Sequence, residues 1–170
     1  MTKASLVRTC FAIDPGVTGA AALVRKPPDS THCEVIQVWD LPTITEQTSA
    51  GKNRRRLNAL ALSKIIGSVA FDTIAVERLV APPGIHSLTA FSLGQSSGII
   101  QAVAALAGKP LKVVSPNVWK RGLAVPSDKS AARRFATNYF GHDRDWPRAM
   151  DHNRAEAALI GVWMLCALAP

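Results

Sequence analysis

Residues 6–24, LVRTCFAIDPGVTGAAALV, decide the fold. Leu6 to Ile13 is a short apolar run rich in strand formers, and Asp14-Pro15-Gly16 stops it with turn chemistry. Gly19 to Val24 then predicts a second strand. Glu34 to Trp39 predicts a third, joined to the second through the turn Pro27-Pro28-Asp29-Ser30. Residues 46–56 are polar and end in Lys52-Asn53-Arg54-Arg55-Arg56, which predicts an exposed basic loop. Leu57, Leu60, Ala61, Lys64 and Ile65 recur at helical spacing, which predicts a helix over 57–70. Asp72 to Glu77 (DTIAVE) reads as a buried strand that again ends in an acid. A strand, a crossover helix and a strand imply parallel pairing.

The remainder continues the alternation. An Ala-rich helix over 88–107 is stopped by Gly108 and Pro110, and Leu111 to Val114 follows as a strand. Ser127 reads as the N-cap of a helix reaching Phe140. The last helix runs from about Asp151 to Leu168 and is apolar nearly all round, so it is expected to be buried. This order predicts an α/β sandwich on a mixed sheet, formed as one domain over 1–170.

Composition narrows the function. A chain of 170 residues, 48% hydrophobic and 19% charged, can close a sizeable core and is not a disordered tail. Its 20 basic against 12 acidic residues give a formal charge of +8, which points to a polyanionic partner, most simply nucleic acid. No uninterrupted apolar run reaches the roughly 18 residues a membrane-spanning helix needs. The N-terminal apolar stretch ends in an acid where a secretory signal would carry small residues. Cys10, Cys33 and Cys166 are odd in number and form no C-x-x-C, which argues against a disulfide framework or a zinc knuckle and suits a reducing cytosol.

Three constellations bear chemistry. Asp14 and Glu77 both end apolar strands, and adjacent strands lie roughly 4.8 Å apart, so neighbouring strands would let the two carboxylates share a divalent cation. The C-terminal edge of such a sheet is where ligands usually bind. An acid at a strand end also simply begins a solvated turn. The second constellation, Asp151-His152-Asn153-Arg154-Ala155-Glu156, opens the apolar last helix, where acids must be capped, paired or metal-bound. Asn153 as N-cap with Glu156 three residues on is the capping alternative. The third is cationic: Lys120 and Arg121, then Lys129, Arg133 and Arg134, with Lys129 and Arg133 four apart on one helix face. Trp119 reads as a core anchor. His32, His86 and His142 show no ligand spacing, and His152 draws attention through its neighbours. Asp14-Pro15-Gly16-Val17-Thr18-Gly19 also suits a phosphate cradle of the sugar-kinase kind, but such enzymes need two domains, more than this chain provides.

These segments resemble, in order, the RuvC family of Holliday junction resolvases, within the RNase H-like fold. The matching stretches are FAIDPGVTG around Asp14, IAVE ending at Glu77, SLGQSSGII at 92–100 and DHNRAEAALIG at 151–161. VVSPNVWKRGL and PSDKSAARRF look like the family's lysine-bearing segments. The resemblance implies a mixed five-stranded sheet flanked by helices. It implies a homodimeric endonuclease that nicks four-way DNA junctions symmetrically with two Mg²⁺ ions, for which Mn²⁺ would substitute. Asp14, Glu77, Asp151 and Glu156 would be the metal ligands and Lys129 a lysine near the scissile phosphate. Lys120, Arg121, Arg54, Arg55 and Arg56 would contact DNA, and the helix around Leu93-Gly94-Gln95 would join the subunits.

No membrane and no small-molecule cofactor is expected, and localisation is cytoplasmic for a bacterial or phage protein, an organellar host being the other case. Bacterial members place an acid or a histidine where this chain has Asn153; Asp151 with Glu156 five residues on looks more like the phage-type and chloroplast-type branches. Leu79 and Val80 stand where many bacterial members carry an aromatic wedge. The rival readings are an RNase H-like nuclease acting on another branched or hybrid nucleic acid, and a junction-binding protein without catalysis.

Overall fold

The computed structural model describes residues 8–47 and 51–167. Five strands, β1 (Arg8–Asp14), β2 (Ala20–Lys26), β3 (Glu34–Asp40), β6 (Thr73–Glu77) and β7 (Leu111–Val114), form one sheet in the order β3-β2-β1-β6-β7. β1, β2 and β3 pair antiparallel, whereas β6 pairs parallel with both β1 and β7. The sheet is therefore mixed, as the alternation of strands and helices predicts. Leu6 and Val7 of the expected first strand lie outside the described residues.

Each face of the sheet has its own core. On one face Phe11, Ile13, Leu23 and Ile74 pack with Leu62 and Ile66 of α1 (Ala59–Gly67) and Ile100 of α2 (Ser87–Leu106). On the other, Cys10, Ala12, Ala22 and Val24 pack with α4 (Lys129–Phe140) and α5 (His152–Ala167). Residues Ala155 to Val162 of α5 are continuously buried, which is the all-round apolar helix the sequence predicts. Small residues bring it close: a Cβ at Gly161 would come within 2.6 Å of Val24 Cγ2. Deep seating of α5 is what carries Glu156, in its second turn, under the sheet edge. Cys10, Cys33 and Cys166 are free, and burial pushes the Cys10 thiol up to about 12 and Cys33 up to about 11.

Local expectations needed correction in four places. Residues 46–56 are not an exposed loop. β4 (Thr43–Gln47) and β5 (Asn53–Leu57) pair as a separate antiparallel two-stranded sheet, and residues 48–50 lie outside the described set. Cross-strand charge, including the pair Arg56–Glu46, supports it in place of apolar alternation. Because Leu57 belongs to β5, the following helix starts at Ala59 with Asn58 as N-cap, its side chain accepting from Ala61 N at 3.1 Å. Asp128, not Ser127, caps α4, accepting from Ala131 N at 2.8 Å; a carboxylate at this position also meets the positive end of the helix dipole. The last helix begins at His152, after a single 3₁₀ turn (Ala149–Asp151), and Leu168 lies outside the described residues. Asn153 is thus inside the helix and caps nothing. An additional helix, α3 (Pro116–Gly122), follows β7 with Pro116 in its first turn.

Candidate active site

β1 and β6 run parallel in a register that pairs Ile13 with Val76, so Asp14 and Glu77, one residue on, leave the sheet side by side. The turn that follows Asp14 is tight: a Cβ at Gly19 would lie 2.3 Å from Asp14 O. Glu156 of α5 reaches the same edge, and the charges of Glu77 and Glu156 both act on Asp14.

The surroundings of Asp14 and Glu77 disfavour their charged forms. Burial holds the Asp14 carboxyl well above its ordinary range, and Glu77 and Glu156 push it further, against the pull of Lys129 and Lys120. Glu77 is raised by burial first, partly offset by a hydrogen bond from Trp119. Helix α3 grips two of the three acids through consecutive residues. Trp119 Nε1 donates to Glu77 Oε2 at 2.6 Å, and Lys120 Nζ donates to Glu156 Oε1 at 2.7 Å. The Lys120 ammonium also sits 5.3 Å from the Trp119 ring centroid, within cation–π range. Trp119 is the core anchor its sequence context predicts, and it additionally orients an acid. The sequence carried no signal for that hydrogen bond beyond the adjacency of Trp119 to Lys120.

Lys129, the first residue of α4, brings its Nζ to 3.2 Å from His152 Nε2. This is the contact that gives His152 a place at the site. Arg121 is exposed on the last turn of α3. Arg133 is drawn away, donating to Trp146 O at 3.1 Å.

Asp151 is not brought to the trio. Its buried carboxylate is enclosed by Arg148, whose backbone N–H, Nε and Nη2 all donate to it, the shortest at 2.7 Å. Those bonds hold the Asp151 carboxyl below the usual carboxylate range. Beside it Arg154 forks onto both oxygens of Asp40 at 2.7 and 2.6 Å, and lowers that carboxyl too. Asn153 Nδ2 donates to Thr18 O at 2.6 Å, tying α5 to the turn after Asp14. Among the described residues, no three His, Cys, Asp or Glu side chains stand together so as to hold a metal ion in their present orientations.

The three arginines of β5 separate by strand alternation. Arg54 bonds Leu88 O and Ser92 Oγ at the start of α2, and Arg56 pairs with Glu46. Arg55, between them, faces a cleft of 430 Å³ bounded by the β1–β2 turn and the 3₁₀ turn. Arg148 belongs to the same cleft and was not singled out in the sequence, where it stands alone ahead of Asp151.

A meander of three antiparallel strands continued by two parallel ones, with an apolar helix delivering an acid to the sheet edge, defines an RNase H-like fold. No protein-family model matches the chain, and no curated protein sequence matches it. Solved structures do match. Thermus thermophilus RuvC in complex with a Holliday junction substrate aligns with a TM-score of 0.62 at 13% identity, over 96% of this chain and 97% of that one. A second T. thermophilus RuvC structure aligns with a TM-score of 0.60 at 14% identity, over 96% and 98%. The fold is RuvC-like from end to end. Among the described residues no helix is long and apolar enough to cross a membrane.

Proposed function

We propose that this protein is a metal-dependent endonuclease that resolves four-way DNA junctions by paired symmetric nicks. The observation that carries the reading is the convergence of Asp14, Glu77 and Glu156, with Lys120 and Lys129, at the C-terminal edge of a RuvC-like sheet. The overlap with a junction-bound RuvC across 96% of this chain supports the substrate class, and a net charge of +8 supports a nucleic-acid partner.

The donor chemistry suits Mg²⁺, with Mn²⁺ as substitute, because hard cations take carboxylate oxygens. Asp14, Glu77 and Glu156 are the residues that would hold it, and the raised Asp14 and Glu77 carboxyls are what a cation would relieve. Two such ions, when bound, would supply an attacking water of lowered pKa and would stabilise the leaving oxygen. Trp119 keeps Glu77 aimed, Lys120 neutralises Glu156, and Lys129 offsets charge developing on the phosphate. Asp151, paired with Arg148, is not among the residues that would hold the cation in this reading.

The reading includes a homodimer joined through α2, since two symmetric nicks need two sites related by a two-fold axis. Phe91 is 66% exposed and Leu88 62% on that helix, and open space surrounds Gly94 and Gly98.

A second reading is a junction-binding protein without catalysis. It is favoured by the pairs Lys120–Glu156 and Arg148–Asp151, in which protein cations already neutralise two of the expected ligands. One panel separates these readings: labelled four-way junction, Y-fork, duplex and RNA–DNA hybrid, each with Mg²⁺ and with EDTA. Paired nicks confined to the junction in Mg²⁺ support the resolvase. Binding without nicks supports the second reading, and hybrid cleavage would assign a different RNase H-like nuclease.

A further inference from the structure

The 430 Å³ cleft beside the carboxylates is bounded by Thr18, Leu41, Arg55, Lys129, Arg148 and His152, among others. Its charges fall into two kinds. Arg148 and Arg154 are spent on Asp151 and Asp40, at 2.7 and 2.6 Å. Arg55 instead bonds neutral acceptors: Nε and Nη2 reach Thr43 Oγ1 at 3.3 and 3.1 Å, and Nη2 reaches Val17 O at 3.3 Å. Its Nη1 has no hydrogen bond to any described residue. The guanidinium is therefore held in place at one end, keeps its full charge, and presents its remaining N–H groups to the cleft. Lys129 belongs both to this cleft and to the surroundings of Asp14, so the cleft runs into the carboxylate edge.

We propose that this cleft takes a phosphodiester of the cut strand next to the scissile one, and that Arg55 is the residue that grips it. The inference rests on the nuclease reading and adds a binding subsite to it. The volume lies within the range of about 300–1,000 Å³ typical of small-ligand pockets, which gives room for one nucleotide unit. A pre-set guanidinium loses little freedom on gripping a phosphate, so the strand pair that presents Arg55 serves as a fixed arm. Arg54 and Arg56, engaged on the other side of the strand, are not part of this grip.

The test is a scan of four-way junctions, each carrying one neutral methylphosphonate near the cut site. Binding is read with Ca²⁺ in place of Mg²⁺, for wild type, Arg55→Ala, Arg55→Lys and Lys109→Ala. Wild type is expected to lose affinity at one phosphate beside the cut by roughly tenfold, the scale of one charge-assisted hydrogen bond. Arg55→Ala should bind the unmodified junction more weakly by a similar factor, lose that positional penalty, and show a salt slope lower by about 1. Arg55→Lys, which keeps the charge and supports the same strand pair, should retain part of the penalty. Lys109→Ala, an exposed lysine just ahead of β7 at the opposite end of the sheet, should keep the wild-type profile. An Arg55→Ala protein with the wild-type penalty at every position would overturn the subsite while leaving the nuclease reading intact. A wild type that neither binds nor cuts junctions would remove the nuclease reading, and this inference with it.

Discussion

The indole N–H of Trp119 donates to Glu77 Oε2 at 2.6 Å, so a fully buried ring fixes the direction of a carboxylate at the sheet edge. The bond pulls the Glu77 carboxyl back toward its ordinary range, against the burial that raises it. Trp119→Phe keeps most of the core volume and removes the donor. Losing the bond should cost about 1 kcal/mol of stability. It should also raise the Glu77 carboxyl further, because the bond favours the charged form. The acidic limb of the cleavage profile is then expected at higher pH, with a higher Mg²⁺ requirement. A pH–rate profile and a Mg²⁺ titration check this; a variant that loses stability alone would make Trp119 a packing residue and nothing more.

Asp14 is strained by its surroundings in the metal-free protein. Its folded carboxyl is raised, so the fold is favoured when that group is protonated. Stability from this group is fully present below the unfolded value of about 4 and is lost as pH rises through the folded one. Asp14→Asn should therefore raise the neutral-pH melting temperature in EDTA by a few degrees, about 1 kcal/mol or more. Mg²⁺ should stabilise wild type and leave the variant unmoved. Thermal melts with and without Mg²⁺ measure both effects.

Asp151 gives the opposite pH signature. Arg148 holds its carboxyl low, so its contribution is present above about pH 4 and is lost as pH falls through the folded value. Asp151→Asn should lower the melting temperature at neutral pH and narrow the gap to wild type in acid, while calorimetric Mg²⁺ affinity stays near wild type. Unchanged stability with Mg²⁺ binding abolished would instead make Asp151 a ligand.

The exposed apolar strip on α2 predicts the oligomer. Phe91 is 66% exposed, so Phe91→Glu should leave the fold intact and give a monomer by light scattering. A dimer that survives this change would move the interface elsewhere.

Much of this was legible in the sequence, because the deciding signals were strong and local. β1 and β6 announce themselves as apolar runs, each ended by an acid, and the parallel pairing that sets Asp14 beside Glu77 follows from one crossover helix. The β4–β5 pair was missed because Thr43–Gln47 and Asn53–Leu57 are polar strands held by pairing and cross-strand charge, which leaves no apolar period to read. The partner of Asp151 is not legible for a related reason. Spacing from Glu156 assumes that the helix continues back to Asp151, whereas the 3₁₀ turn ends there and closes Arg148 onto its carboxylate. No sequence pattern shows which of several nearby charges will pair. That choice is made by tertiary geometry, as Arg55 also demonstrates between two arginines engaged elsewhere.

The Asp14–Glu77–Glu156 edge is expected to cut DNA junctions with a bound divalent cation. The most direct measurement pairs gel-shift and cleavage assays of Glu77→Gln with those of wild type, on a labelled four-way junction in Mg²⁺ and in EDTA. The substitution keeps the size of the side chain and its hydrogen-bonding oxygen for Trp119, and removes the charge. Wild type is expected to give paired symmetric nicks in Mg²⁺ alone, and Glu77→Gln to bind the junction as tightly or better but cut at a small fraction of the rate. Full cleavage by Glu77→Gln at ordinary Mg²⁺, or cutting by wild type in EDTA, would contradict this expectation.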